Sequence, residues 1–193
     1  MRLRWWFLLV ILSLPLGYWL HTRNTFPSDH TPQGAYLRVV IAVNEGNPAG
    51  FFAYIETEAQ HACYTIRDYR RKSVERITAS YPESEKSKSL ALHKPFADAP
   101  DGADILAMYV KQKGWLDRLR RDLSGIERVE IQGDRATVQT VRGTRYPFRK
   151  RENGIWGLTL FTAALSAEAE RAARDAAIVE QAADDYERAK AAQ

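Results

Sequence analysis

Residues 126–160 read IERVEIQGDRATVQTVRGTRYPFRKRENGIWGLTL, and the period of this stretch decides the fold. Apolar residues alternate here instead of recurring every three or four positions. Val129 and Ile131 form a short strand that ends at the turn dipeptide Gly133-Asp134. Ala136 to Val141 is a second strand, closed by Arg142-Gly143-Thr144. Tyr146 to Lys150 is a third, with Tyr146 and Phe148 on one face and Arg149 on the other. Glu152-Asn153-Gly154 turns the chain into a fourth, on which Trp156, Leu158 and Leu160 alternate. Successive strands joined by tight turns make an antiparallel meander. One face is apolar and packs on helices; the other shows Glu130, Gln132, Thr137, Gln139 and Arg149.

Upstream the period is helical. Thr31 is a good N-cap, with Pro32 at the first helical position. Tyr36, Leu37, Val40, Ile41 and Val43 then recur at helix spacing until Asn44-Glu45-Gly46-Asn47-Pro48 stops the run. A second helix is expected over Pro48 to Ile55 and a third over His61 to Ala79. Tyr81 to Lys88 reads as a polar break, followed by a single turn of helix over Ser89 to His93 and a loop over Pro95 to Gly102. Two short helices, Ala103 to Gln112 and Trp115 to Leu123, hinge at Gly114. Downstream of the meander a helix of about 30 residues runs to the end of the chain. Leu165, Ala169, Ala172, Ala176, Val179, Ala183 and Tyr186 form its narrow apolar stripe. Alanine favours helix but buries little area, so the stripe suits close approach of another helix, from a partner or a second copy.

Residues 5–20 read WWFLLVILSLPLGYWL without a charge. At 1.5 Å per residue this covers about 24 Å, a little short of a hydrocarbon core of about 30 Å. Trp5, Trp6, Tyr18 and Trp19 suit the two interfaces, and Arg2 and Arg4 favour a cytoplasmic N-terminus. The expectation is an uncleaved signal anchor over 1–21, a linker over 22–30, an α+β domain over 31–162 and a C-terminal helix over 163–193. That places the chain as a single-pass protein of the inner membrane, with its domain in the periplasm or outside the cell. A cleaved signal peptide is the alternative, but the following HTRNTFPSDH lacks small residues for cleavage.

The 193 residues carry a formal net charge of +4, too little bias for a dedicated nucleic-acid binder. The lone cysteine, Cys63, allows no intrachain disulfide and reads as a small core residue. The histidines are scattered without ligand spacing, so neither a metal nor a cofactor is expected.

Two segments carry a resemblance. TPQGAYLRVVIAVNEGNP (31–48) looks like the first helix, and GDRATVQTVRG with YPFRKRENGIWGL (133–143 and 146–158) like the later strands, of cone-shaped domains in the nuclear transport factor 2-like superfamily. The resemblance covers roughly residues 31–160. It implies helices packed on a curved antiparallel sheet. Members include isomerases and cyclases resembling ketosteroid isomerase and SnoaL, non-catalytic binding and scaffold domains, and a membrane-anchored type IV secretion subunit. In an enzyme of this form His61, Asp68 and Tyr36 are the candidate acid–base groups. Tyr36, Tyr64, Phe148 and Trp156 would line its pocket. His61, Tyr64 and Asp68, spaced i, i+3 and i+7, share one helix face.

Three basic clusters complete the inventory: Arg67, Arg70, Arg71 and Lys72; Arg118, Arg120 and Arg121; Arg149, Lys150 and Arg151. They face an anionic lipid surface, a cell-wall polymer or an acidic partner, or are simply solvated. The leading expectation is a non-enzymatic binding or scaffold domain acting through protein or ligand contacts; the alternative is an isomerase, dehydratase or cyclase using the cone.

Overall fold

The computed structural model describes residues 26–192, and the chain there is α+β. Six α-helices and one 3-10 helix are present among the described residues. Helix α1 is Pro32–Asn44, followed by the 3-10 helix Pro48–Tyr54. Then come α2 (Thr57–Ser80), α3 (Glu83–Ala97), α4 (Gly102–Gln112) and α5 (Trp115–Asp122). Strands β1 (Ile126–Gln132), β2 (Arg135–Thr140), β3 (Arg145–Lys150) and β4 (Trp156–Leu158) precede the long helix α6 (Thr162–Ala191).

Two expectations are corrected. No helix among the described residues is long and apolar enough to cross a membrane. The expected transmembrane helix, residues 5–20, lies outside the described residues. Over the described residues the fold class is α+β, and the single-pass inner-membrane placement, with its signal anchor and periplasmic domain, is withdrawn. The second correction concerns residues 81–97. Where the sequence suggests a polar break and a single turn, α3 runs for 15 residues. It has no apolar stripe to betray it, because only His93 and Ala97 are buried. Glu83 and Glu85 in its first turn suit the positive end of the helix dipole, and Pro95 falls in its last turn.

The four strands follow the order β1-β2-β3-β4, each antiparallel to the next. The first hairpin turns on Gly133, whose φ of 62° suits a residue without Cβ. Ala136, Val138, Tyr146, Phe148, Trp156 and Leu158 cover the inner face and are all buried. Helix α1 lies on this face, with Tyr36 and Tyr146 meeting at 5.4 Å between ring centroids. The last strand stops at Leu158, leaving Leu160, expected to extend it, 48% exposed. Ile131 is likewise exposed, because β1 runs past the helical layer.

The start of α1 is as the sequence dictates: the Thr31 hydroxyl accepts from Gly34 N at 3.1 Å. The segment before it is tied to the domain. Trp156 Nε1 donates to His30 O at 3.1 Å, and Arg38 donates to Pro27 O at 2.8 Å.

Strand β4 meets the N-terminus of α2 very closely. Glu56 N donates to Leu158 O at 3.1 Å, and a Cβ on Gly157 would lie 2.8 Å from the Glu56 backbone. The Glu56 side chain, 5% exposed, accepts from Arg149 Nη1 at 2.6 Å and from the Thr162 hydroxyl at 2.7 Å.

Helix α6 packs along α2. The alanine stripe offered to a partner is spent on this contact: Ala169, Ala172, Ala176, Val179 and Ala183 are buried within the chain. Small residues allow close approach, and polar residues set the register. Arg70, 9% exposed, pairs with Asp175 at 2.8 Å and meets His93 Nδ1 at 3.2 Å. Glu168 accepts from Lys113 Nζ at 2.8 Å. Near the open end Arg76 reaches Glu180 at 2.9 Å, Glu187 at 2.6 Å, and Asp184.

Gly157→Ala should destabilise the fold by about 1–3 kcal/mol, because backbone must move to admit the methyl group; urea denaturation reads this as a lower midpoint.

His93 titrates below the ordinary histidine range. Burial is the main cause, the Arg70 charge adds to it, and Asp175 opposes both. As the pH falls below about 6.5 the unfolded chain takes up this proton before the folded one does. Stability should therefore fall between neutral pH and the lowered pKa, and His93→Gln should flatten that part of a plot of urea midpoint against pH.

Candidate functional site

A pocket lies where α5, the start of β3 and the β4–α6 junction converge. Its volume is about 300 Å³. Helix α5 points Trp115, Arg118, Leu119 and Asp122 at it, which is the i, i+3, i+4, i+7 set of one helix face. The left-handed Gly114, φ 64°, breaks the chain between α4 and α5, so that α5 starts in a new direction. Arg145 and Tyr146 come from β3, and Leu160, Phe161 and Ala164 from the junction with α6.

The walls are aromatic. Trp115 stacks on Phe161 with centroids 4.9 Å apart and planes 26° from parallel. Phe161 in turn faces Phe51 at 6.0 Å. Tyr146 is 2% exposed, and its buried hydroxyl has no hydrogen-bond partner among the described residues. Burial pushes its pKa well above the ordinary tyrosine range, with smaller contributions from Tyr36 and Asp122, so the hydroxyl is a neutral donor. A buried hydroxyl left without a partner costs about 1–3 kcal/mol. Its neighbour Tyr36 is satisfied: its hydroxyl donates to Ser124 O at 2.7 Å and accepts from Ser124 N at 3.2 Å.

Arg118 and Arg145 are exposed at the rim of this pocket. No carboxylate pairs with either among the described residues, whereas Arg38, Arg70, Arg76, Arg128 and Arg149 all have one.

A second depression, about 540 Å³, opens over the N-terminus of α2 between Glu56, His61, Arg149 and Arg151. It is charged and largely satisfied from within. Glu56 holds Arg149 and Thr162 as above. Arg151 donates to Ala53 O at 2.7 Å, to Gln60 Oε1 at 2.8 Å and to Thr57 Oγ1 at 3.2 Å. These contacts bind the β3–β4 turn to α2, and burial lowers the Arg151 pKa.

The residues singled out from sequence are scattered. Tyr36, Phe148 and Trp156 are buried in the core. Tyr64 meets Phe52 edge-on at 5.8 Å, with the Arg67 guanidinium 5.2 Å from its ring centre. His61 lines the charged depression, while Asp68 pairs with Arg67 at 3.2 Å on the open surface. No hydrogen bond or ion pair joins His61 to Asp68 or Tyr36 among the described residues. Of the first basic cluster, Arg70 is buried, not on the surface as expected, because Asp175 and His93 hold it between helices. Arg71 donates to Ala97 O at 2.8 Å and Ala99 O at 3.0 Å, fastening the end of α3 to α2. In the second cluster Arg120 donates to Val43 O at 3.3 Å, and Arg121 is exposed. Among the described residues no three His, Cys, Asp or Glu side chains gather in a way that could hold a metal ion.

Sequence reasoning passed over Trp115, Tyr146 and Phe161 as pocket residues. A signal was present in α5, where WLDRLRRD places Trp115, Arg118, Leu119 and Asp122 on one face. That face mixes aromatic, aliphatic and both charges, which a helix packed only for stability would not need.

Comparison of the chain with family models, with curated proteins and with solved structures finds no match. The likeness to the nuclear transport factor 2-like superfamily rests on sequence pattern alone.

Cys63 is completely buried and its thiol is pushed up to about 12 by desolvation. It should resist iodoacetamide at pH 8 in the folded protein and react fully in urea; mass spectrometry of the alkylated chain checks both.

Proposed function

We propose that this domain is a binding module that takes a small molecule into the aromatic pocket beneath α5. Tyr146, which lines that pocket and whose buried hydroxyl has no partner among the described residues, carries the reading. A polar atom of a ligand recovers the hydrogen bond that the protein leaves unmade, while Trp115 and Phe161 supply apolar area. The pocket has the size and composition of small-molecule sites, with mostly apolar walls and a few convergent polar groups. A general acid–base pair needs its members within hydrogen-bond reach of one substrate, and the dispersal of Tyr36, His61 and Asp68 favours binding over catalysis.

The test uses 2-naphthol as an aromatic probe with one polar oxygen. Saturation-transfer NMR with the full chain should show contact with the probe. Ala164→Trp, which fills the pocket from α6, should abolish it. Tyr146→Phe should keep stability within about 1 kcal/mol of the parent or raise it, since no hydrogen bond is lost, while weakening the probe. Unchanged binding in both variants would exclude this pocket as the site.

A further inference from the structure

Resting on that reading, we propose that the natural ligand is a planar aromatic molecule bearing one anionic group. Its ring lies against Trp115 and Tyr146, and its anion sits at the rim between Arg118 and Arg145. Two observations on separate elements lead there. The Trp115–Phe161 stack makes one wall of the pocket flat, and flat walls select flat rings, through offset stacking. The rim carries two guanidiniums, one from α5 and one from β3, that no carboxylate neutralises among the described residues. A guanidinium presents a fork of N–H donors that matches a carboxylate, sulfonate or phosphate.

The other charged groups bear on the same point. Asp122 also lines the pocket, so the balance there is two cations against one anion. The field at the rim is therefore positive, and a neutral ring would leave it unused. The anion also distinguishes this pocket from the depression at Glu56, where each buried charge already has its partner.

Calorimetry on the full chain with 2-naphthoate and its uncharged isostere 2-naphthamide tests the proposal. The acid should bind about tenfold more tightly than the amide. Replacing both arginines, Arg118→Gln with Arg145→Gln, should bring the two within about threefold, chiefly by weakening the acid. Added salt should weaken the acid alone. Equal binding of acid and amide, with both abolished by Ala164→Trp, would overturn the anionic class and leave the pocket standing as a binding site. No binding of either probe, or binding that Ala164→Trp does not disturb, would overturn both readings.

Discussion

The structure hangs on a buried carboxylate. Glu56 stands at the N-cap of α2, and its main chain and side chain hold four elements at once. Its N–H joins the edge of β4 through Leu158, one carboxylate oxygen takes Arg149 of β3, and the other takes Thr162 at the start of α6. A carboxylate that is 5% exposed needs hydrogen-bond partners to offset its lost hydration, so the geometry around it is obligatory. Gly157 follows from the same constraint, because only a residue without a side chain lets β4 come this near the Glu56 backbone. The sheet is thereby positioned relative to the long helices, and the β4–α6 junction is carried into place beside α5.

The pairing of α2 with α6 obeys the same logic with different chemistry. Alanines bring the axes close but bury little apolar area. Arg70 with Asp175, and Arg76 with Glu180, supply the directional contacts that fix one register, while Glu168 with Lys113 ties α6 to the end of α4. This interior use of charge explains why so many of the arginines conspicuous in the sequence are unavailable as a docking face. It also consumes the alanine stripe, whose partner is α2 of the same chain.

Three of the groups that these assignments leave over meet at one pocket. Among the described residues Tyr146 has a hydroxyl without a partner, and Arg118 and Arg145 have charges without a paired carboxylate. Folding tolerates such arrangements at a cost, and the places where it does so are where binding has something to gain. Trp115 and Phe161 serve both ends, packing on the core through Phe51 while offering a flat wall to the cavity.

The meander and the helical period were legible in the sequence because alternation of period two and recurrence every three to four residues are local properties. The turns at Gly133 and Gly114, the Thr31 cap and the length of α6 were legible for the same reason. Helix α3 was not, since its polar residues form no stripe; Arg71 and the Arg70–His93 contact hold it in place. Nor could sequence tell which tyrosine is spent and which is free. Tyr36 and Tyr146 look alike along the chain, yet one meets Ser124, 88 residues away, and the other meets no polar partner among the described residues. The pocket draws on residues 115–122, 144–146 and 160–164, which adjoin only after β4 docks against Glu56. Local pattern settles which elements form. Tertiary structure alone decides which polar groups are satisfied, because satisfaction depends on atoms brought together from distant parts of the chain.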